Sequence, residues 1–433
     1  MPSHRLNHQP IPPAREPIPA QAGRWDAALL QHIAETYATP CYVYDLDAIA
    51  TQYQRLQQAL PEAAIRYAVK ANACGAVLQQ VAELGAGAEV ITLGELERAK
   101  RAGIAPEAML LGGPGQDPAL VQRASAIGVG MVSIDSPAQW HYWQQAYQQG
   151  DIAHMPALLL RVNPGLNPQT HPHMATGAAA SKFGMPVAQV QALAEEVQAQ
   201  GWLAGFHVHA GSQIEALDVY QEIFAALAPL YDAFPQARWL DIGGGFIVPG
   251  FDLETFAGLL QDFAVPRALR CIIEPGRYLV AEAGVLLSKV LHVKMAEPVS
   301  SLEAPTMPSH IPNHVISDAG MADLLRPALY GASHPLWRLD TTNSETAIAP
   351  PTLLYDVDGP LCENADRLGQ ACALPPLRSG DILVIAQAGA YGLGMASNYA
   401  SSLRPAEVVI RQGQAQLARQ RERPEDLWRL ECV

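Results

Sequence analysis

The chain is short of lysine, short of charge and without long apolar runs, and each shortage narrows what it can be. Only five of its 433 residues are lysines, at positions 70, 100, 182, 289 and 294. Lys plus Arg total 28 against 42 Asp plus Glu, a formal net charge of −14. That balance argues against a nucleic-acid or anionic-membrane partner and leaves room only for a local cationic pocket. No apolar run approaches the ~18–20 residues of a membrane span. The first residues lack the charged-then-apolar order of a secretory signal. Six cysteines (41, 74, 271, 362, 372 and 432) are too few for a disulfide scaffold, and no two have CxxC spacing. The expectation is a soluble, reduced, cytoplasmic protein. Its hydrophobic share of 49% is ample for a core.

Residues 1–24 carry Pro10, Pro12, Pro13, Pro17 and Pro19 and read as a mobile tail. From Tyr42 onward short apolar runs recur at 65–70, 88–91, 109–112, 130–134, 157–162, 205–209, 238–242 and 270–274. Helix-like stretches at 76–84, 93–102, 118–127, 187–198, 216–231 and 253–263 lie between them. Eight strands alternating with helices over ~220 residues predict an α/β fold, a (β/α)8 TIM-type barrel over 38–288. A doubly wound open sheet is the competing arrangement. Closure is favoured because Lys70 and Glu274 end runs one and eight, which are neighbours in a closed barrel and need not be in an open sheet. Beyond residue 290 the texture changes to Pro/Ser/Thr-rich loops and strand-like runs at 314–317, 352–357, 381–385 and 407–410. This predicts a second, all-β C-terminal domain over 289–433, a sandwich or barrel, with part of 25–45 assignable to either unit.

Several short motifs combine reactive residue types. In Tyr67-Ala-Val-Lys70-Ala-Asn72 a lysine ends an apolar strand, where desolvation favours a nucleophilic amine; a surface lysine is the plainer alternative. Asp241-Ile-Gly243-Gly244-Gly245 places three glycines after strand seven, suited to a phosphate and equally to a tight turn. In Glu274-Pro-Gly276-Arg277 the carboxylate can face a cationic ring nitrogen and the arginine an anion, or the two can simply pair. His207-Val-His209-Ala-Gly-Ser212 puts two histidines on one strand face. A metal-dependent hydrolase would need further ligands, and Asp241, His154 and His173 are the only candidates nearby. Cys362-Glu363 follows a Gly-Pro turn and reads as a proton donor or as an inert buried thiol. Arg326-Pro-Ala-Leu-Tyr330 and Gly389-Ala-Tyr391-Gly offer a cation and two phenols.

Together these are the needs of pyridoxal 5'-phosphate: a lysine for a Schiff base, glycines for the phosphate, a carboxylate for the ring nitrogen and a histidine for the ring face. The ordered motifs resemble the fold-type III decarboxylases of the alanine racemase-like barrel family, and among these the diaminopimelate decarboxylases, over roughly residues 38–412. Gly-Ala-Gly-Ala-Glu-Val at 85–90, His171–Gly177 with Ser-Lys-Phe-Gly at 181–184, and Met395–Tyr399 add to the likeness. The resemblance implies that Lys70 forms the Schiff base, His209 stacks on the ring and Glu274 keeps the ring nitrogen protonated. It implies that Ser212 and the Gly243, Gly244 and Gly245 amides hold the phosphate, with Gly276, Arg277 and Tyr391 nearby. Arg277, Arg326 and Tyr330 would grip the distal carboxylate of an amino-acid substrate and Glu363 its distal ammonium, with Tyr391 also at the substrate. Cys362 is similar to the cysteine this family supplies from a second subunit, so a homodimer with shared sites is implied.

Three positions depart from the family pattern: Glu89 for a usual Asp, Ser333 for a common aromatic, and Tyr399-Ala-Ser-Ser-Leu-Arg for a Tyr-Asn-Ser-Arg-type run. The implied activity is decarboxylation of meso-2,6-diaminopimelate to L-lysine in lysine biosynthesis. The competing functions are a decarboxylase of another amino acid, such as a polyamine precursor or natural-product intermediate, an amino-acid racemase, a non-catalytic pyridoxal-phosphate-binding paralogue, and the metal hydrolase.

Overall fold

The computed structural model describes residues 23–166, 181–296, 312–341 and 352–432. The expected tail, apart from its last two residues, lies outside them, as do His171–Gly177 with His173. The described strands, in chain order, are β1 (Cys41–Asp45), β2 (Ala64–Ala68), β3 (Gly87–Val90), β4 (Met109–Leu111), β5 (Met131–Ile134), β6 (Ala157–Asn163), β7 (Met185–Pro186), β8 (Leu203–Val208), β9 (Trp239–Asp241), β10 (Arg270–Ile273), β11 (Gly284–Lys294), β12 (Asn313–Ser317), β13 (Leu336–Arg338), β14 (Leu353–Asp358), β15 (Arg367–Leu374), β16 (Ile382–Ile385), β17 (Ala406–Arg411) and β18 (Gln414–Arg419). The chain divides into two compact units, residues 46–281 and residues 1–45 with 282–433.

In the 46–281 unit the strands run parallel in the order β5-β4-β3-β2-β10-β9-β8-β6, and β5 pairs with β6 to close the ring. This is the eight-stranded barrel expected from the sequence; the open sheet is excluded by the closing pair. β10 lies beside β2, with Ile273 opposite Ile65, so the ends of runs one and eight are neighbours. Helices form between strands where side-chain caps can start them. Asp117 accepts the Leu120 N–H at 2.9 Å before a proline-led helix (Pro118–Ile127), and Gly128, at φ 80°, ends it. A helix over Pro137–Gln149, absent from the sequence expectation, starts the same way at Ser136.

Alternate strand positions face the barrel interior, and their chemistry changes along its axis. Near the N-terminal ends Leu110, Met131, Leu159 and Ile272 form an apolar layer. Towards the C-terminal ends the interior residues are Arg66, Glu89, Ser133, Arg161, His207, Asp241 and Glu274, all buried. One end of the barrel is thus sealed with hydrocarbon and the other is lined with charge.

In the other unit β1 pairs antiparallel with β11 and parallel with β17, so residues 41–45 belong to the β sheet. The sheet runs β15-β14-β12-β11-β1-β17-β18, with β16 joining β11 and β13. A helix over Ala27–Tyr37 buries Leu30 and Ile33 in the same core as Val43, Val285, Val384 and Val408.

Candidate active site

Lys70 follows β2 in a single tight turn over Val69–Ala71. Its Nζ donates to Glu89 Oε2 at 2.7 Å, and Glu89 is buried while Lys70 keeps 35% of its side-chain surface. An amine beside a buried carboxylate is held in one place yet reachable. The Pro275–Gly276 turn abuts this lysine turn: the Ala68 N–H donates to Pro275 O at 3.3 Å. A Cβ on Gly276 would lie 3.0 Å from the Ala71 Cβ and 3.2 Å from the Ala68 Cβ, a tighter contact than most side chains make, so glycine eases the approach of the two turns.

His209 stands just beyond β8. Its Nδ1 accepts the Gly244 N–H at 3.2 Å, which leaves the ring proton on Nε2. Burial, reinforced by the Arg161 and Lys70 charges, holds His209 well below the usual histidine range, so the ring is neutral. His207 is depressed in the same way, by burial first and then by Arg161, and its Nδ1 lies 2.7 Å from Ser133 Oγ.

The glycine run is a tight cradle. A Cβ on Gly244 would come within 2.3 Å of Glu274 O, and one on Gly245, at φ 94°, within 2.1 Å of Gly211 O. Two of its three amides have partners inside the chain: Gly243 N–H donates to Asp241 Oδ1 at 2.9 Å and Gly244 N–H to His209. Ser212 sits at the cradle rim, and Arg277 Nη2 donates to its Oγ at 3.3 Å.

Glu274 and Asp241 are buried on neighbouring strand ends, and Glu274 Oε1 and Asp241 Oδ2 have no hydrogen-bond partner among the described residues. Burial, with repulsion from Asp241 and Glu89, pushes the Glu274 carboxyl well above the usual range. Burial likewise pushes Asp241 up to about 7, against the Gly243 N–H and Arg66. The site fits pyridoxal phosphate: a protonated ring nitrogen would satisfy the Glu274 oxygen, the cradle admits no side chain where a phosphate would enter, and an amine stands ready. His207, Asp241 and Glu274 do bring three possible metal-ligand atoms within 4.8 Å of one another. The third is Glu274, whereas the metal reading looked to His154 or His173. His154 O instead accepts from Ser125 at 2.8 Å.

The remaining predicted residues lie in the β unit. Arg326 opens a short helix, Arg326–Tyr330, that stops at Gly331 with φ 62°. Its Nη1 lies 3.3 Å from His334 Nε2, and His334 Nδ1 donates to Ala386 O at 2.9 Å, which makes Nε2 the acceptor. Cys362 is exposed, so the buried inert thiol is not what the chain contains. Glu363, also exposed, accepts a hydrogen bond from the Tyr399 hydroxyl. Their loop is tied down by Asp366, whose carboxylate accepts the Leu361 N–H at 2.7 Å and the Met321 N–H at 2.5 Å. Tyr330 and Tyr391 are half-buried, and Tyr391 takes φ 54°. Sequence reasoning missed His334, Ser133, and the buried Arg161–Asp135 ion pair at 3.2 Å. None of these sits in a motif with a chemical signature of its own.

A lysine at the barrel mouth, a glycine cradle and a buried carboxylate together fit a pyridoxal-phosphate enzyme. Residues 46–281 match the family model described as "Pyridoxal-dependent decarboxylase, pyridoxal binding domain". The chain belongs to this family and is a pyridoxal-phosphate-dependent amino-acid decarboxylase, a carbon–carbon lyase. Within the family, it is 37% identical over 406 residues to a Deinococcus radiodurans protein named diaminopimelate decarboxylase, covering 93% of this chain and 98% of that one. It is 33% identical to the diaminopimelate decarboxylase of Aquifex aeolicus, over 91% of each. The structure of Helicobacter pylori diaminopimelate decarboxylase complexed with L-lysine superposes with a TM-score of 0.83 at 30% identity, covering 93% of this chain and 99% of that one.

Proposed function

We infer that the chain decarboxylates meso-2,6-diaminopimelate at its α-carbon, giving L-lysine and CO2. The observation that carries the reading is the strand-end cluster. Lys70, paired to Glu89, and Glu274, buried with an unpartnered oxygen, are held on neighbouring strands by the closure of the barrel.

Lys70 is the covalent attachment point, and Glu89 fixes its amine. Glu274 would hold the ring nitrogen's proton, and neutral His209 would supply a ring face without competing for that charge. Ser212, Arg277, and the Gly245 and Gly276 amides would hold the phosphate, while Gly243 and Gly244 shape the cradle. When bound, pyridoxal phosphate supplies an electron sink for the pair left behind by CO2. Arg326 with Tyr330 and Arg277 reads the distal carboxylate of the substrate, Glu363 its distal ammonium, and Tyr391 contacts both cofactor and substrate. The Cys362 thiol returns a proton to the α-carbon. Its exposure and the family likeness support its acting in the site of a second copy, which makes the enzyme a homodimer in solution. Six free thiols support a cytoplasmic setting. Among the described residues, no helix is long and apolar enough to cross a membrane.

The test is a substrate panel with the wild type and Arg326→Ala. Arg326 is half-buried, and a hydrogen bond between charged groups is worth ~1.5–3 kcal/mol, so diaminopimelate should be preferred over lysine and ornithine by at least about tenfold. Arg326→Ala should narrow that gap and leave the cofactor absorbance unchanged. Preference for lysine, ornithine or arginine, or an unchanged kcat/KM for diaminopimelate in the variant, overturns the assignment of substrate.

A further inference from the structure

Asp241 ends β9 and Glu274 follows β10, and these parallel neighbours bring the two side chains into the barrel together. Both are buried, and with His207 their ligand atoms fall within 4.8 Å of one another. Asp241 spends Oδ1 on the Gly243 N–H and leaves Oδ2 without a partner; Glu274 leaves Oε1 without one. His207 stands by, its Nε2 3.9 Å from Glu274 Oε2. Two buried carboxylates side by side cannot both stay ionised unless cations offset them, and one shared proton resolves the conflict.

The charged groups acting on the pair come from every side of the barrel. Arg66 on β2 favours ionisation of both carboxyls, and Lys70 and Arg161 favour that of Glu274. Glu89 on β3 opposes it, and His207 is neutral. Burial outweighs the cations at both carboxyls; Asp241 also repels an ionised Glu274, while the Glu274 side chain favours ionised Asp241, which leaves the shared proton on Glu274.

We propose that Asp241 is a positioning residue: pressed against Glu274, it keeps one proton on the carboxyl pair, and Glu274 passes that proton to the ring nitrogen of pyridoxal phosphate as the cofactor enters. The Glu274 O–H bond breaks, a ring N–H bond forms, and Glu274 is left as the carboxylate that the cationic ring requires. No proton for this step comes from solvent. The proposal rests on the reading of Glu274 as the ring-nitrogen partner.

The test is calorimetric titration of cofactor-free protein with pyridoxal phosphate at about pH 8, in two buffers of different ionisation enthalpy, which counts protons taken up per site. In Asp241→Asn the side-chain oxygen can still accept from Gly243, but the neighbouring charge is gone. With the Asp241 repulsion removed, only burial and Glu89 hold the proton on Glu274, so the carboxyl is ionised in a larger share of sites before binding, and there the ring proton must come from solution. The variant should take up more protons than the wild type, by up to about one per site, and its affinity should fall more steeply with rising pH than the wild type's. Proton changes at Lys70 and the phosphate are common to both proteins and cancel in the difference. Equal counts would overturn the proposal. If Asp241→Asn fails to fold, infrared difference spectra of the wild type decide. A protonated-carboxyl band should vanish on cofactor binding and be absent throughout in Glu274→Gln; no such loss overturns the proposal. Glu274→Gln also tests the parent reading. Unchanged cofactor affinity and absorbance there would remove Glu274 from the ring nitrogen, whereas a changed spectrum with equal proton counts would remove only the role of Asp241.

Discussion

At the scale of single residues, the site is built from side chains whose partners fix what they can do. Lys70, Glu274, Arg277 and Arg326 were legible because each stands in a short motif with a chemical meaning. Their supports were less so: Glu89 stood out only as a departure from the family pattern, and Ser133, Arg161 and His334 acquire a role only once distant strands meet. His334 is the clearest case. It is buried, donates to Ala386 O and offers its other nitrogen to Arg326. His334→Ala should raise KM for diaminopimelate by about tenfold with little change in kcat or cofactor absorbance, the loss of one hydrogen bond to a charged group; unchanged steady-state kinetics would deny it that role. A second residue bears on stability. Burial pushes the Asp323 carboxyl up to about 7, while its bond from the Gly320 N–H opposes the shift. The folded chain therefore binds this proton more tightly than the unfolded chain, and stability falls as pH rises from about 4 to about 7. Asp323→Asn should flatten that part of the curve, removing a change of roughly 3–4 kcal/mol across it. Thermal unfolding from pH 4 to 8 checks this, and parallel curves for the two proteins would contradict it.

At the scale of elements, local repetition made the barrel readable. All eight barrel strands fall on the apolar runs seen in the sequence, and the helices over Leu93–Arg101 and Pro118–Ile127 nearly coincide with theirs. The helix over Pro137–Gln149 escaped because Trp140, Tyr142, Trp143 and Tyr147 blur its apolar stripe. β15, Arg-Leu-Gly-Gln-Ala-Cys-Ala-Leu, is poor in β-branched residues and becomes a strand by pairing with β14. The glycine cradle was legible as a composition but not as a geometry, because what a Cβ would strike lies on other strands. Gly245→Ala tests that geometry: its φ of 94° and the 2.1 Å approach to Gly211 O leave no place for a methyl group. The variant should lose at least ~1–2 kcal/mol from backbone strain alone and bind pyridoxal phosphate at least tenfold more weakly. Wild-type affinity for the cofactor would show that the cradle tolerates a side chain.

At the scale of the whole molecule, the two units differ in how much of them could be read. The barrel takes its strands in almost unbroken chain order, so a linear reading recovers it. The β unit joins residues 41–45 to strands 284–294 and 406–411, pairings that no local pattern announces. Assembly is a further step beyond the sequence. If Cys362 acts in a partner's site, Lys70→Ala and Cys362→Ala should each be nearly inactive. Random re-pairing of equal amounts should restore roughly a quarter of wild-type activity, because half the dimers are mixed and half their sites intact. No recovery would place the thiol in its own chain's site or outside the reaction.

The most direct measurement of the central claim is to run the reaction in deuterium oxide with pyridoxal phosphate and meso-diaminopimelate, following CO2 release and the label in every amino acid recovered. A decarboxylase that protonates the α-carbon from a solvent-exchanged thiol gives one CO2 and one L-lysine per substrate consumed, with a single deuterium at the former α-carbon, and Lys70→Ala gives neither product. Deuterium washed into unconsumed diaminopimelate without CO2 release would instead mark a racemase, and would contradict the assignment of Cys362 and of the reaction itself.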